Sequence, residues 1–261
     1  EKRKGVRGEL EASGVMEGGE VGLRESRRLL SLMARSLAKM DSILAIARAE
    51  ADNLGPDLRM VILSDHVRAG DLAEAGSPEF RPAKLGVVPI FETLRRANIR
   101  EEIGVLTGGL VILPREAEQA LRKLAADRGL ERERIAFAAL PGCPGHVRVE
   151  VLGEGERRIV ELVTALFTAG EVTVLVGTQA LLGEGWDAPA INSLVLASNA
   201  GAFMLSNQMR GRAIRTDPQR PDKVSNIWHL ATVPELPAGP IDAIAQRLNW
   251  GHLHVGAEDV L

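Results

Sequence analysis

The 261-residue chain is 45% hydrophobic and 26% charged, the balance of an ordinary globular protein long enough to bury a substantial core. A net charge of −3 excludes a global basic field, so any nucleic-acid contact has to come from a local stripe. One cysteine excludes an intrachain disulfide and a cysteine-based zinc cluster, and it points to a reducing, cytoplasmic setting. No run approaches the ~18 apolar residues of a membrane helix, and none has a signal-peptide pattern. Tyrosine is absent and aromatics make up 3%, which argues against a base-stacking platform. The first residue is Glu1, not methionine, so a fragment or excised domain is expected.

Residues 1–20 are charged and glycine-rich and read as a linker or frayed terminus. From 23 to 54, Leu29, Leu30, Met33, Leu37, Met40, Leu44 and Ala47 recur at spacings of three and four, predicting a long leading helix. Asn53-Leu54-Gly55-Pro56 stops it. The run RMVIL at 59–63 predicts a first strand ending in Ser64, Asp65 and His66. Polar residues there sit on the side where open α/β sheets receive ligands. His66 has no visible partner and reads as structural. Residues 69–85 read as a loop, 87–98 as a helix and 103–106 as a strand. Thr107-Gly108 then reads either as plain turn chemistry or as N–H groups and a hydroxyl holding a phosphate.

Residues 109–152 read as a small β-α-β-β insertion in a parallel sheet: a strand at 110–113, a helix at 114–128, and strands at 134–138 and 147–152. Cys143, in the turn between the last two, has no nearby base and reads as incidental. An amphipathic helix at 155–169 follows. Beyond 215 come a Pro-rich loop, a strand at 224–230 and a tail with a short helix at 241–248. His252 and His254 lack the further ligands a metal site needs.

The stretch from 172 to 215 organises the chain. VTVLV at 172–176 predicts a buried strand that stops at Gly177-Thr178, and the loop Gly183-Glu184-Gly185-Trp186-Asp187 follows. Glycines at 183 and 185 let the backbone turn sharply and approach a ligand. Trp186 reads as an exposed aromatic contact or as an anchor packed on the domain. A second buried strand at 193–197 leads to a helix at 203–214. On it Gln208, Arg212 and Arg215, at i, i+4 and i+7, would line one face, with two guanidiniums suited to phosphate oxygens. Gly211 costs about 1 kcal/mol relative to alanine inside a helix, so a packing or approach constraint is expected to hold it there. Neither a GxxxxGK[ST] phosphate loop nor an Asp-Glu box after a strand occurs.

GTQALLGEGWDAP, at 177–189, resembles motif V of superfamily-two helicases, and QMRGRAIR, at 208–215, resembles their motif VI, Gln-x-x-Gly-Arg-x-x-Arg. The wording looks most like bacterial DEAD/DEAH-type and type III restriction-like members, and the resemblance covers roughly 56 to 233. It implies a three-layer α/β, RecA-like (P-loop NTPase-like) parallel sheet, with the strand at 59–63 as motif IV. The implied organisation is a linker and leading helix at 1–55, a helicase C-terminal RecA-like domain at 56–235 with its insertion at 109–152, and a tail at 236–261.

By the same resemblance the chain is the second motor domain of an ATP-dependent helicase or translocase, in restriction or defence, and inactive without its Walker-bearing N-terminal partner domain. Arg212 and Arg215 would be arginine fingers positioned with Gln208, and Gly185 and Asp187 would approach the nucleotide. Thr178, Thr107, Gly108 and Ser64 would contact a nucleic-acid backbone, DNA being expected, without reading sequence. ATP with Mg would be held mainly by the missing domain; neither a metal site in this chain nor a membrane is implied. The alternative is an ATP-independent docking module on the same fold. An unrelated hydrolase lacks the G-x-S-x-G elbow it would need.

Overall fold

The structure, a computed structural model, describes residues 16–17, 20–21, 37–65, 67, 69–82, 84–99, 101–130, 134–151, 156–180, 186–197 and 203–230. Two two-residue strands, β1 (Met16–Glu17) and β2 (Glu20–Val21), pair with each other within the segment expected to be linker. The remaining strands form one eight-stranded sheet, β3 (Met60–Ser64), β4 (Ile103–Leu106), β5 (Val111–Pro114), β6 (Ile135–Ala139), β7 (His146–Val151), β8 (Val174–Thr178), β9 (Ser193–Leu196) and β10 (Asn226–His229). Their order is β10-β9-β3-β8-β4-β5-β7-β6.

The central strands are apolar throughout because each feeds two cores. Successive side chains of a strand point to opposite faces. Val61, Leu63, Leu175, Leu194 and Leu196 face one side, where they meet α4 (Ala117–Asp127), α5 (Glu156–Ala169) and α6 (Phe203–Ala213). Met60, Ile62, Val174, Val176 and Val195 face the other, where α1 (Lys39–Leu54) and α3 (Val87–Arg96) cover them. The result is three layers, helix on sheet on helix. A short α2 (Ala69–Glu74) lies in the stretch expected to be entirely loop.

β10, β9, β3, β8 and β4 run parallel, and the rest of the sheet does not. The strand, helix and two strands expected in 109–152 are β5, α4, β6 and β7. They extend the edge of the sheet in antiparallel fashion rather than entering its parallel part. The cause is the β4–β5 connection. Leu106 pairs with Val111, and the Thr107 N–H bonds the Leu110 carbonyl, leaving Gly108-Gly109 as a two-residue loop. So short a loop can join only antiparallel neighbours.

α1 is fastened at both ends. The Lys39 ammonium donates to the Ala197 carbonyl at 2.9 Å. Near the other end Glu50 accepts from Asn226 Nδ2 at 3.1 Å and from the Trp228 indole on β10. The helix stops at Gly55, whose φ of +52° suits glycine, just before Pro56.

A buried polar knot ties α3 to the turn between β6 and β7. The Glu92 side chain, 2% exposed, receives two hydrogen bonds from Arg95 at 2.8 Å, one from Arg96 at 2.9 Å and one from the Cys143 thiol at 3.3 Å. Burial pushes the Glu92 carboxyl up, but the bonds from Arg95, Arg96 and Cys143 outweigh it and hold the group at about 2. Burial, reinforced by the Glu92 charge, raises the Cys143 thiol to about 11, so this cysteine is a packing group rather than a nucleophile. A carboxylate whose folded pKa is depressed adds stability above its unfolded pKa and loses it as pH falls towards the folded value. Glu92→Gln is therefore expected to lower the urea midpoint at pH 6, and the gap to wild type should narrow between pH 4.5 and about 2. A gap that stays constant over that range would contradict the assignment.

Candidate nucleotide and nucleic-acid site

Parallel strands put the candidate residues at two opposite ends of the sheet. Ser64 of β3 stands beside Thr178 of β8, and Leu106 of β4 beside Gly177, so Ser64, Thr107 and Thr178 gather at the carboxyl end. Ser64 is 1% exposed and Thr107 is 6% exposed. The Thr107 hydroxyl accepts from the Leu110 N–H at 2.9 Å and lies 3.2 Å from the Leu110 carbonyl, so it is committed to the hairpin turn. Gly108 is exposed, and a Cβ built there would meet nothing within 4 Å. Thr178 is partly exposed.

A groove of about 1180 Å³ starts at Thr107, Gly108 and Thr178, follows α5 past Thr164 and Thr168, and reaches Asp187. The segment 186–192 brings the chain back to the amino end of the sheet. There Asn192 Oδ1 accepts from the Arg59 N–H at 2.7 Å, while its Nδ2 donates to the Asp57 carbonyl at 2.8 Å. Trp186 is an anchor, not an exposed contact: it is 5% exposed, its indole N–H bonds the Thr164 hydroxyl and its ring leans on Phe167. Gly185 lies outside the described residues, as do His66, His252, His254 and the expected helix at 241–248.

α6 returns along the same face and delivers its arginines to that end. Met209 and Ala213 are fully buried and Gln208 is exposed, which orients the helix. The Arg212 guanidinium bonds the Trp186 carbonyl, and Arg215 bonds the Asp187 carboxylate at 2.6 Å. Arg215 does not extend the helical face of Gln208 and Arg212, because α6 ends at Ala213 and a turn through Ile214 follows. The Lys223 ammonium and the Ser225 hydroxyl take the Ala213 carbonyl at that end.

The Arg215–Asp187 pair is open to solvent, with side chains 49% and 56% exposed. Exposed ion pairs contribute at most about 1 kcal/mol, so an incoming phosphate can displace the carboxylate from the guanidinium at little expense. Of the two constraints expected at Gly211, packing finds no partner among the described residues: a Cβ there would meet nothing within 4 Å. Sequence spacing does not reveal Thr164, Lys223 and Ser225, whose farthest partners lie 22, 34 and 34 residues away, beyond any local period. No group of three or more His, Cys, Asp or Glu among the described residues could hold a metal ion, and no described helix is long and apolar enough to cross a membrane.

No protein-family model and no curated protein matches the chain. Among solved structures it is similar to the Pyrococcus furiosus Hef helicase domain, at 15% identity over 81% of this chain and 28% of that one, with a TM-score of 0.38. It is also similar to the C-terminal part of the Fun30 ATPase domain, at 10% identity over 74% of this chain and 40% of that one, with a TM-score of 0.40. The chain therefore spans less than half the length of either. Likeness at this level leaves function to the residues themselves.

If Gly211 answers to no internal neighbour, filling it should help the fold. Gly211→Ala is expected to stabilise the chain by up to about 1 kcal/mol, read as a higher denaturation midpoint. A loss of stability would show a packing constraint at this position.

Proposed function

We propose that the chain is the second motor domain of an ATP-dependent nucleic-acid helicase or translocase. One observation carries this reading. The glycine-loop segment and the Gln-x-x-Gly-Arg-x-x-Arg segment, separate in sequence, meet through Arg212 on the Trp186 carbonyl and Arg215 on Asp187. Two arginines and a carboxylate so placed suit a nucleotide presented by a second domain.

In this reading Arg212 and Arg215 stabilise charge on the γ-phosphate during hydrolysis, and Gln208 orients the same helix. Asp187, released from Arg215, accepts from a ribose hydroxyl, and Gly185 allows close approach. ATP and Mg belong mainly to the partner domain with the Walker loop, so this chain alone is silent. At the opposite end of the sheet Thr178 and the Gly108 N–H reach a nucleic-acid backbone, DNA being expected, with Thr107 and Ser64 shaping the ends of the strands behind them. Contacts of this kind read no bases and weaken with salt. A role in restriction or defence would suit such a motor.

Domain closure would couple the two ends. When the partner's nucleotide draws Arg212 and Arg215 inward, the rigid sheet moves Thr178 and Gly108 with them, and product release reverses the shift. The test is turnover in the full-length protein. Arg212→Ala and Arg215→Ala should each lower kcat by about a thousand-fold. Wild-type turnover in both variants would overturn the finger assignment.

A further inference from the structure

Two side chains outside both motifs, Lys223 and Ser225, bridge the segment after Asp187 to the end of α6. Lys223 lies in the loop between α6 and β10. Its ammonium donates to the Pro189 carbonyl at 2.5 Å, the Ile191 carbonyl at 2.8 Å and the Ala213 carbonyl at 3.1 Å. An ammonium has three donors, and all of them are used. The first two acceptors follow Asp187 in its own segment. The third is at the end of α6, one residue after Arg212 and two before Arg215.

The Ser225 hydroxyl repeats the bridge, 3.1 Å from the Ile191 carbonyl and 2.8 Å from that of Ala213. Carbonyls at a helix C-terminus lack partners within the helix and favour a cation, so Lys223 also caps α6. The carbonyls it gathers would be left without these bonds by an apolar side chain. Among the described residues, Arg212 and Arg215 hydrogen-bond the neighbouring segment at the Trp186 carbonyl and the exposed Asp187 carboxylate. Such a contact cannot by itself fix the spacing between the segments.

We propose that Lys223 is a positioning residue of this site: by clamping the 186–192 segment to the end of α6 it sets where Arg212 and Arg215 stand relative to Asp187. This rests on the reading of those arginines as nucleotide-facing. Lys223 touches no ligand and acts only through them. Misplacement by about an ångström can slow an enzymatic step by roughly a hundred-fold, so the clamp should be visible in turnover rather than in binding.

The test is a variant cycle in the full-length protein. Lys223→Met is expected to lower kcat about 10- to 100-fold while KM for ATP stays within about two-fold. Combined with Arg212→Ala and Arg215→Ala together it should add much less than its own loss, because it acts only through those two groups. Ser225→Ala, which removes only the second bridge, should give a smaller loss in the same direction and serves if Lys223→Met fails to fold. Where Arg212→Ala and Arg215→Ala do lose turnover, full turnover in Lys223→Met, or losses that add in the combined variant, would overturn the clamp.

A second readout separates this failure from that of the functional reading. In this chain alone, Lys223→Met should move the indole N–H resonance of Trp186, whose carbonyl holds Arg212, whereas Lys123→Met should not. If Arg212→Ala and Arg215→Ala both turn over normally but the Trp186 resonance moves, the clamp stands as a structural link and the finger reading falls. An unmoved resonance overturns the clamp whatever the kinetics.

Discussion

Everything in this fold follows from burying the parallel strands on both faces. Val61 and Leu63 enter one core while Met60 and Ile62 enter the other, and β8 and β9 divide in the same way. Strands of that kind are stable only when helices cover each face. Parallel neighbours need long crossovers, so every connection has to emerge at one end of the sheet or the other. Chemistry is thereby confined to two ends. The carboxyl end collects Ser64, Thr107, Gly108 and Thr178, and the amino end collects Asp187, Arg212 and Arg215.

That separation gives the proposed motor its economy. In that proposal a sheet about five residues deep, some 15 Å, would separate a nucleotide-facing end from a backbone-facing end. Moving one end moves the other without internal rearrangement. The groove along α5 is lined by both Thr178 and Asp187, so one continuous surface touches the two sets of residues. At the amino end the guanidinium–carboxylate pair is exposed and weak, while the Lys223 ammonium, on the carbonyls of Pro189, Ile191 and Ala213, is fully bonded. A firm support for a readily exchanged contact is what ligand capture requires.

Much of the fold was legible in the sequence because its signals were local. Unbroken apolar runs marked β3, β8 and β9, and Gly55-Pro56 marked the end of α1. The antiparallel edge departs from the parallel insertion expected, although Gly108-Gly109 carries a hairpin signal; the adjacent Thr107 reads equally as a phosphate contact. Its hydroxyl proves to be engaged in closing the turn. Arg215 was assigned to a helical face by counting residues, but α6 ends at Ala213, and nothing in its period announces that stop. Trp186 could be read either way from sequence, since only the fold reveals Thr164 and Phe167 beside it. Lys223 is hidden for the same reason: its three carbonyls lie 34, 32 and 10 residues away, in two segments that only the fold brings together.

The most direct measurement is ATP hydrolysis by the full-length protein and by this chain alone, each without nucleic acid and with single-stranded DNA, duplex DNA or RNA. Hydrolysis by the full-length protein that one nucleic acid stimulates, together with a silent isolated chain, is the expected result and would identify the track. Hydrolysis by the isolated chain would contradict the half-motor account, and no hydrolysis by the full-length protein under any condition would favour a docking module on this fold.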